Sequence, residues 1–530
     1  MKELGYFVYQ IYPKSFKDTT GNGIGDINGI RSKLEYIADL GYDYIWITPM
    51  YISPQNDNGY DVADYYKIDP LFGTEEDFDN LVIEAEQLGI KVMMDMVLNH
   101  CSTEHEWFKR ALNGEQKYKD YFIWSKNPTT WESKFGGNAW EYVEKFDEHY
   151  LHLFDVTQAD LNWENEDVRQ EVYSIVNYWI KRGVKGFRFD VINLISKNYP
   201  LENGTGDGRD QYTDGPRIHE FLEELRANTF AGNDDILTVG EMSSTSIEEC
   251  RKYASKERSE LDSVFHFHHL KVDYLDAYKW STDFFDFEML KDLMTSWQLE
   301  MQKKDVVDTL FWCCHDQPRI ASRFIPASNN EEQLRKNKSL AMMMYLMRGI
   351  SYMYQGEELG MENITFNDIT DAVDVEAINF YNLTTNLSSE QKLRALSQKS
   401  RDNARAPMQW TAQGGFTTGT PWIKYNDNLD RINCEREITT EGSTHSFYKQ
   451  LISLKKSSET LMSGQIDFMH TDELFIYTRT LNNETYKVVV NVWDRELSYA
   501  DKYNEVIINN GCELSDMITL KPFSSILYKI

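Results

Sequence analysis

Eight short apolar, β-rich runs alternate with stretches of helical periodicity, and that alternation leaves few architectures open to the chain. The runs are FVYQIYP (7–13), YDYIWITP (42–49), IKVMMDMVLNH (90–100), GVKGFRFDV (183–191), ILTVGEM (236–242), SVFHFHHL (263–270), TLFWCCHD (309–316) and ISYMYQG (350–356). Between them, segments such as TEEDFDNLVIEAEQLG (74–89) and EDVRQEVYSIVNYWIKRG (166–183) return an apolar residue every three or four positions. Eight alternating strands and helices predict an α/β fold of the (β/α)8 TIM-barrel type, with the active site where the strands end. The reading divides the chain into barrel (1–100), an inserted subdomain after strand three (101–167), barrel again (168–454) and a C-terminal antiparallel, sandwich-like β domain (455–530).

Composition narrows the function classes. The chain has 530 residues, 41% hydrophobic and 14% aromatic, enough apolar surface for a large core. A formal charge of −30 argues against nucleic acid, whose phosphates need a basic surface. Six scattered cysteines follow no metal or disulfide spacing, so a reducing cytoplasm is the expected home. The N-terminal residues carry no apolar signal core and no run of 18 apolar residues occurs, so neither export nor membrane insertion is expected. A monomer acting on a small molecule is the expected form.

Acidic and basic side chains gather at the predicted strand ends: Asp95 with Asn99 and His100, Arg188 with Asp190, Glu241, and His315 with Asp316. Any one of these carboxylates is as readily a structural ion pair. Asp190, Glu241 and Asp316 together, each at the carboxyl end of a strand, point to catalysis. Two carboxyl groups flanking one bond, with aromatic walls, are the equipment of glycoside hydrolysis. Arg188, two residues from Asp190 and on the same strand face, is expected to hold it ionised. Glu241, in the apolar ILTVGEM, is expected to have a raised pKa suited to an acid.

DMVLNH, GFRFDVINL, VGEM and HDQPR, in this order on strands three, four, five and seven, resemble the signature regions of the α-amylase superfamily of retaining glycoside hydrolases. The resemblance extends over the insertion, with QADLNWEN (158–165), and the C-terminal β region. It implies Asp190 as nucleophile, Glu241 as general acid/base and Asp316 as transition-state stabiliser. It further implies Asp57 and Tyr60 of DNGYD, His100, Arg188, His315, and Arg405 of SRDNARAPMQW around a terminal glucose. One position departs from the pattern. Cys314 stands where the family has Asn before His-Asp, and a thiol cannot supply an amide's donors and acceptor.

The segment FHFHHLKVDY (265–274), followed by Lys279 and Trp280, concentrates positive charge in an acidic protein. It resembles the version found in superfamily members that split phosphorylated trehalose, whereas the α-1,6-glucosidases carry acidic residues there. Lys271, Lys279 and one of His268 or His269 are the candidate contacts to a phosphate dianion. The bland reading makes the histidines core residues of a strand and Lys279 a surface lysine. The expected activity is hydrolysis of trehalose 6-phosphate to glucose and glucose 6-phosphate. An oligo-1,6-glucosidase is the alternative, and a catalytically silent sugar-sensing barrel is the rival of another class.

DTTGNGIGD (18–26) sets Asp18, Thr20, Asn22, the Ile24 carbonyl and Asp26 at alternating positions around Gly23, a spacing that wraps a hard cation in oxygen. A structural Ca2+ or Mg2+ is expected there, against an Asp/Asn/Gly turn without metal. The carboxylate chemistry itself requires no cofactor.

Overall fold

The structure is a computed structural model and describes residues 5–255, 257–258 and 260–530. Eight strands close a barrel: β1 (Phe7–Ile11), β2 (Tyr44–Ile47), β3 (Lys91–Val97), β4 (Gly186–Asp190), β5 (Leu237–Glu241), β6 (Ser263–Phe265), β7 (Val307–Leu310) and β8 (Ile350–Tyr354). They neighbour one another in chain order, and β1 pairs in parallel with β8. Most of these strands are buried along their whole length, which is why they read as unbroken apolar runs.

Helices between the strands form where the sequence predicts them. α1 (Glu75–Gln87) opens on a capping box in which Thr74 Oγ1 accepts from Asp77 N and the Asp77 carboxylate accepts from Thr74 N. Phe78, Leu81, Val82 and Ala85 form its buried stripe. α2 (Glu166–Lys181) is capped by Asn165 and buries Val168, Val172, Ile175, Val176 and Trp179. Each fully buried large side chain contributes roughly 1.5–3 kcal/mol, so propensity alone does not hold these helices.

Two barrel strands stop earlier than the apolar runs suggest. β6 ends at Phe265, and His268–Leu270 is a 3-10 turn closed by Lys271 N on His268 O. β7 ends at Leu310, so His315 and Asp316 lie on the following loop rather than at the strand end. In both places the aromatic run continues as buried loop, its backbone satisfied by turns and long-range bonds such as Trp312 Nε1 on the Leu340 carbonyl.

The chain divides into two compact units, Ile45–His266 on one hand, and the residues up to Tyr44 with Phe267–Ile530 on the other. In the first, between β3 and α2, His100–Ser102 pairs antiparallel with Gln158–Asp160, and Trp124–Ser125, Glu148–Leu151 and Trp140–Val143 make a three-stranded sheet. Trp131, Trp140, Leu151, Leu153 and Tyr212 pack there as core. In the second, residues 465–529 make one six-stranded antiparallel sheet. It is fastened to α3 (Asn330–Tyr345) by Tyr477 Oη on the Met342 carbonyl and Ser339 Oγ on the Phe523 carbonyl. No helix among the described residues is long and apolar enough to cross a membrane.

Candidate active site

Within residues 45–266 the site is organised by one guanidinium. The β3–β4 register sets Arg188 beside Asp95, and Asp190 follows two residues on, facing the same way. Arg188 Nη1 donates to Asp95 Oδ1 and to Asp190 Oδ1, each at 2.6 Å, and Nη2 donates to Glu241 Oε2 at 2.5 Å. Asp95 Oδ2 also accepts from Tyr60 Oη at 2.9 Å and Trp46 Nε1 at 3.2 Å. Val191, directly after Asp190, sits at φ +36°, a left-handed conformation costly for a β-branched residue. That turn aims its N–H at Glu241 Oε2, 3.2 Å away.

The sequence reading gave Arg188 to Asp190 and left Glu241 in apolar surroundings. The structure divides the guanidinium among Asp95, Asp190 and Glu241 instead. One positive charge shared among three buried carboxylates stabilises each less than a partner of its own would. Burial lifts Asp190 to about 7 and Asp95 to about 6, with Arg188 pulling each back down. Asp95 and Asp190, held by the same Nη1, therefore share protons and titrate together. If Asp190 must be ionised to act, the acid limb of kcat/KM is expected near pH 6–7, above the ordinary carboxylate range of about 4. A pH–rate profile checks this, and a limb at the ordinary value would mean that Arg188 outweighs burial.

A second cluster orders Asp57 and His100. Gln158 Nε2 donates to Asp57 Oδ2 at 3.1 Å and to the Tyr60 carbonyl at 3.2 Å, and lies 3.3 Å from His100 Nε2. Lys197 Nζ binds Asp160 Oδ2 at 2.8 Å and Asn99 Oδ1 at 2.9 Å, fixing the neighbour of His100 from below. Burial lowers His100 to about 4, so it is neutral at working pH and can donate or accept at a sugar hydroxyl.

In the other unit, Asp316 Oδ2 faces His315 Nε2 at 3.0 Å, while Oδ1 accepts from Arg405 Nη2 at 2.9 Å and Arg401 Nη1 at 3.3 Å. Burial alone would raise Asp316, but His315, Arg401 and Arg405 together hold it well below the usual range. Asp374 backs both arginines, accepting from Arg401 Nη2 at 2.6 Å and standing 3.5 Å from Arg405 Nη1. Gln10 Nε2 lies 2.8 Å from His315 Nδ1, and the Tyr12 ring stacks on the imidazole.

The cationic segment resolves unevenly. Lys279 Nζ pairs with Glu376 Oε2 at 2.5 Å, and the same oxygen lies 3.6 Å from Arg401 Nε, so Lys279 is tied to the Asp316 cluster. Lys271 is exposed, and His268 stacks on Trp297. His269 is buried, with Nε2 2.8 Å from the Phe311 carbonyl and its ring edge-on to Phe311. At the end of the segment, buried Arg323 and Lys399 both hold Asp273, two cations on one anion. Gln158, Asp160, Lys197, Asp374, Arg401 and this Asp273 cluster are absent from the sequence reading.

In the loop 18–26, the Asp18 carboxylate accepts from Thr20 N, Gly21 N, Gly23 N and Thr417 Oγ1. Burial would raise Asp18, but these bonds hold it below its ordinary value. Thr20 Oγ1 stands 3.0 Å from Asp18 Oδ1, so the first and third oxygens of the spacing face one another. Asp26 also caps the helix that follows, accepting from Gly29 N. The donor set is all oxygen, which suits a hard cation.

Residues 10–464 match the family model described as alpha amylase, catalytic domain. The chain belongs to the alpha-amylase family. The trehalose-6-phosphate hydrolase of Bacillus subtilis is 46% identical over 99% of this chain and 97% of its own length. The oligo-1,6-glucosidase of Bacillus cereus is 40% identical over 99% and 98%. Among solved structures, the trehalose-6-phosphate hydrolase of Bacillus licheniformis superimposes with a TM-score of 0.95 at 46% identity, covering 99% of both chains. The matched region contains the barrel strands that end in Asp190 and Glu241, and the sheet from Gln465 onward begins where that region stops.

Proposed function

We propose that this protein is a retaining α-glucosidase that hydrolyses trehalose 6-phosphate to glucose and glucose 6-phosphate. The observation that carries the reaction is the pairing of Asp190 and Glu241 on neighbouring strands, both hydrogen-bonded to Arg188. Asp190 attacks the anomeric carbon while Glu241 protonates the departing oxygen. The positive charge that develops on the sugar is met by a cluster with more carboxylates than cations, and by Asp316. Glu241 then takes a proton from water, which releases glucose from Asp190. Asp57, Tyr60, His100, Arg188, His315 and Arg405 are assigned to the terminal glucose.

Support for the phosphorylated substrate comes from the relatives and from charge. Identity is 46% with the phosphotrehalose hydrolase against 40% with the oligo-1,6-glucosidase. Lys279, with the two cations Arg323 and Lys399 that share the single anion Asp273, supplies positive charge of the kind a phosphate dianion needs. The test is glucose release from trehalose 6-phosphate, trehalose and isomaltose in parallel. A hundredfold preference for the phosphorylated sugar is expected. Faster turnover of isomaltose would replace this reading with the oligo-1,6-glucosidase one.

The loop 18–26 is proposed to hold a structural Ca2+ through Asp18, Thr20, Asn22, the Ile24 carbonyl and Asp26, where the ion would tie the loop together and take no part in bond cleavage. Saturating Ca2+ is expected to raise the melting temperature by at least about 2 °C over the EDTA-treated protein. Identical melting curves would leave an Asx turn. A cytoplasmic monomer completes the proposal, in keeping with six buried thiols.

A further inference from the structure

We propose that Cys314, His315 and Asp316 form a binding site for a soft divalent cation such as Zn2+, whose occupation inhibits the enzyme by engaging Asp316. One ligand atom from each residue lies within 4.8 Å of the other two. The 3.0 Å between His315 Nε2 and Asp316 Oδ2 is near the separation of two ligands on one tetrahedral ion with bonds of about 2.0 Å. The Asp316 N–H points at Cys314 Sγ from 3.4 Å, and accepting a hydrogen bond favours the thiolate that metals bind. Cys313 is not one of the clustered groups, and its buried sulfur already accepts from Ile320 N at 3.1 Å.

Gln10 supplies the support a metal-bound imidazole needs. Its carboxamide meets His315 Nδ1 at 2.8 Å and offers either a donor or, turned over, an acceptor. Nδ1 can therefore carry the ring proton while Nε2 faces the ion. Arg401 and Arg405 oppose a cation, but both stand on Asp316 Oδ1 and are backed by Asp374, which leaves Oδ2 on the His315 side. The thiolate decides the preference for a soft ion, and an amide at this position would provide none. On binding, the Cys314 thiol loses its proton to solvent and the imidazole proton passes from Nε2 to Nδ1, so one proton is released per ion.

The inhibitory consequence rests on the proposed role of Asp316, whereas binding itself is read independently of turnover. Chelator-stripped full-length protein is titrated with Co2+, then Zn2+, following the thiolate-to-cobalt charge-transfer band, proton release and hydrolysis of p-nitrophenyl α-glucoside. The expected result is a band that Zn2+ displaces and Ca2+ does not, about one proton released, and loss of turnover reversed by EDTA. Cys314→Ser is expected to weaken Zn2+ at least about tenfold. Absence of the band in the unsubstituted protein overturns the site whether or not the variant folds. An unchanged band in Cys314→Ser overturns it by placing the thiolate elsewhere. Binding without loss of turnover overturns the inhibition.

Discussion

Glu241→Gln is expected to lower kcat/KM for trehalose 6-phosphate by about 10²–10⁴-fold while leaving the fold intact. The side chain at this position meets the Arg188 guanidinium and the Val191 N–H, and a carboxamide oxygen can accept from both. It cannot give up a proton to a sugar oxygen. A structural role for Glu241 and a catalytic one then separate by substrate. An aryl glucoside, whose leaving group needs little protonation, should lose much less in the first step than trehalose 6-phosphate does. Its glycosyl-enzyme should accumulate, because water still needs a base, and azide, which needs none, should restore turnover. Equal losses on both substrates, or a melting temperature that falls with the activity, would remove Glu241 from the acid/base role.

The barrel was legible because two periods alternate in the chain: strands buried all round as unbroken apolar runs, and helices with a stripe. The strand-end carboxylates of β4 and β5 were legible for the same reason. Strand limits failed at β6 and β7, where FHFHHL and FWCC continue as buried loop. Apolar composition reports burial, and a buried loop looks like a strand until its backbone partners are known. The support residues were invisible because their partners are remote in sequence. Gln158 finds Asp57 across 101 positions and Lys197 finds Asn99 across 98, with no local pattern to mark either. The surroundings of His269 were hidden for a related reason, since a histidine in FHFHHL shows in sequence neither its burial nor the carbonyl it meets. The direction of the Asp190 shift depended on its burial and on Asp95 sharing Arg188 with it, neither of which shows without the β3–β4 register.

Lys279→Ala is expected to lower the preference for trehalose 6-phosphate over trehalose by about ten- to a hundredfold, the worth of one charge-assisted bond of about 1.5–3 kcal/mol. Lys279 outranks Lys271 because it is partly buried and already oriented, its ammonium held by Glu376 beside Arg401. Glu376 also sets the difficulty: it neutralises Lys279, so a phosphate must draw the ammonium away from it. The surplus charge on the Arg323–Lys399–Asp273 cluster favours that exchange, and Lys279 itself acts on Lys399, whose burial lowers it to about 8. Raising the pH through that value should therefore weaken the phosphate preference, since Lys399 loses its charge. Glu376→Gln separates the two possibilities for the pair. If the ammonium serves phosphate, freeing it should lower KM for the phosphorylated sugar. If the pair instead serves the hydroxyls of an unphosphorylated glucose, both variants should depress isomaltose and trehalose turnover and leave the phosphate preference where it was.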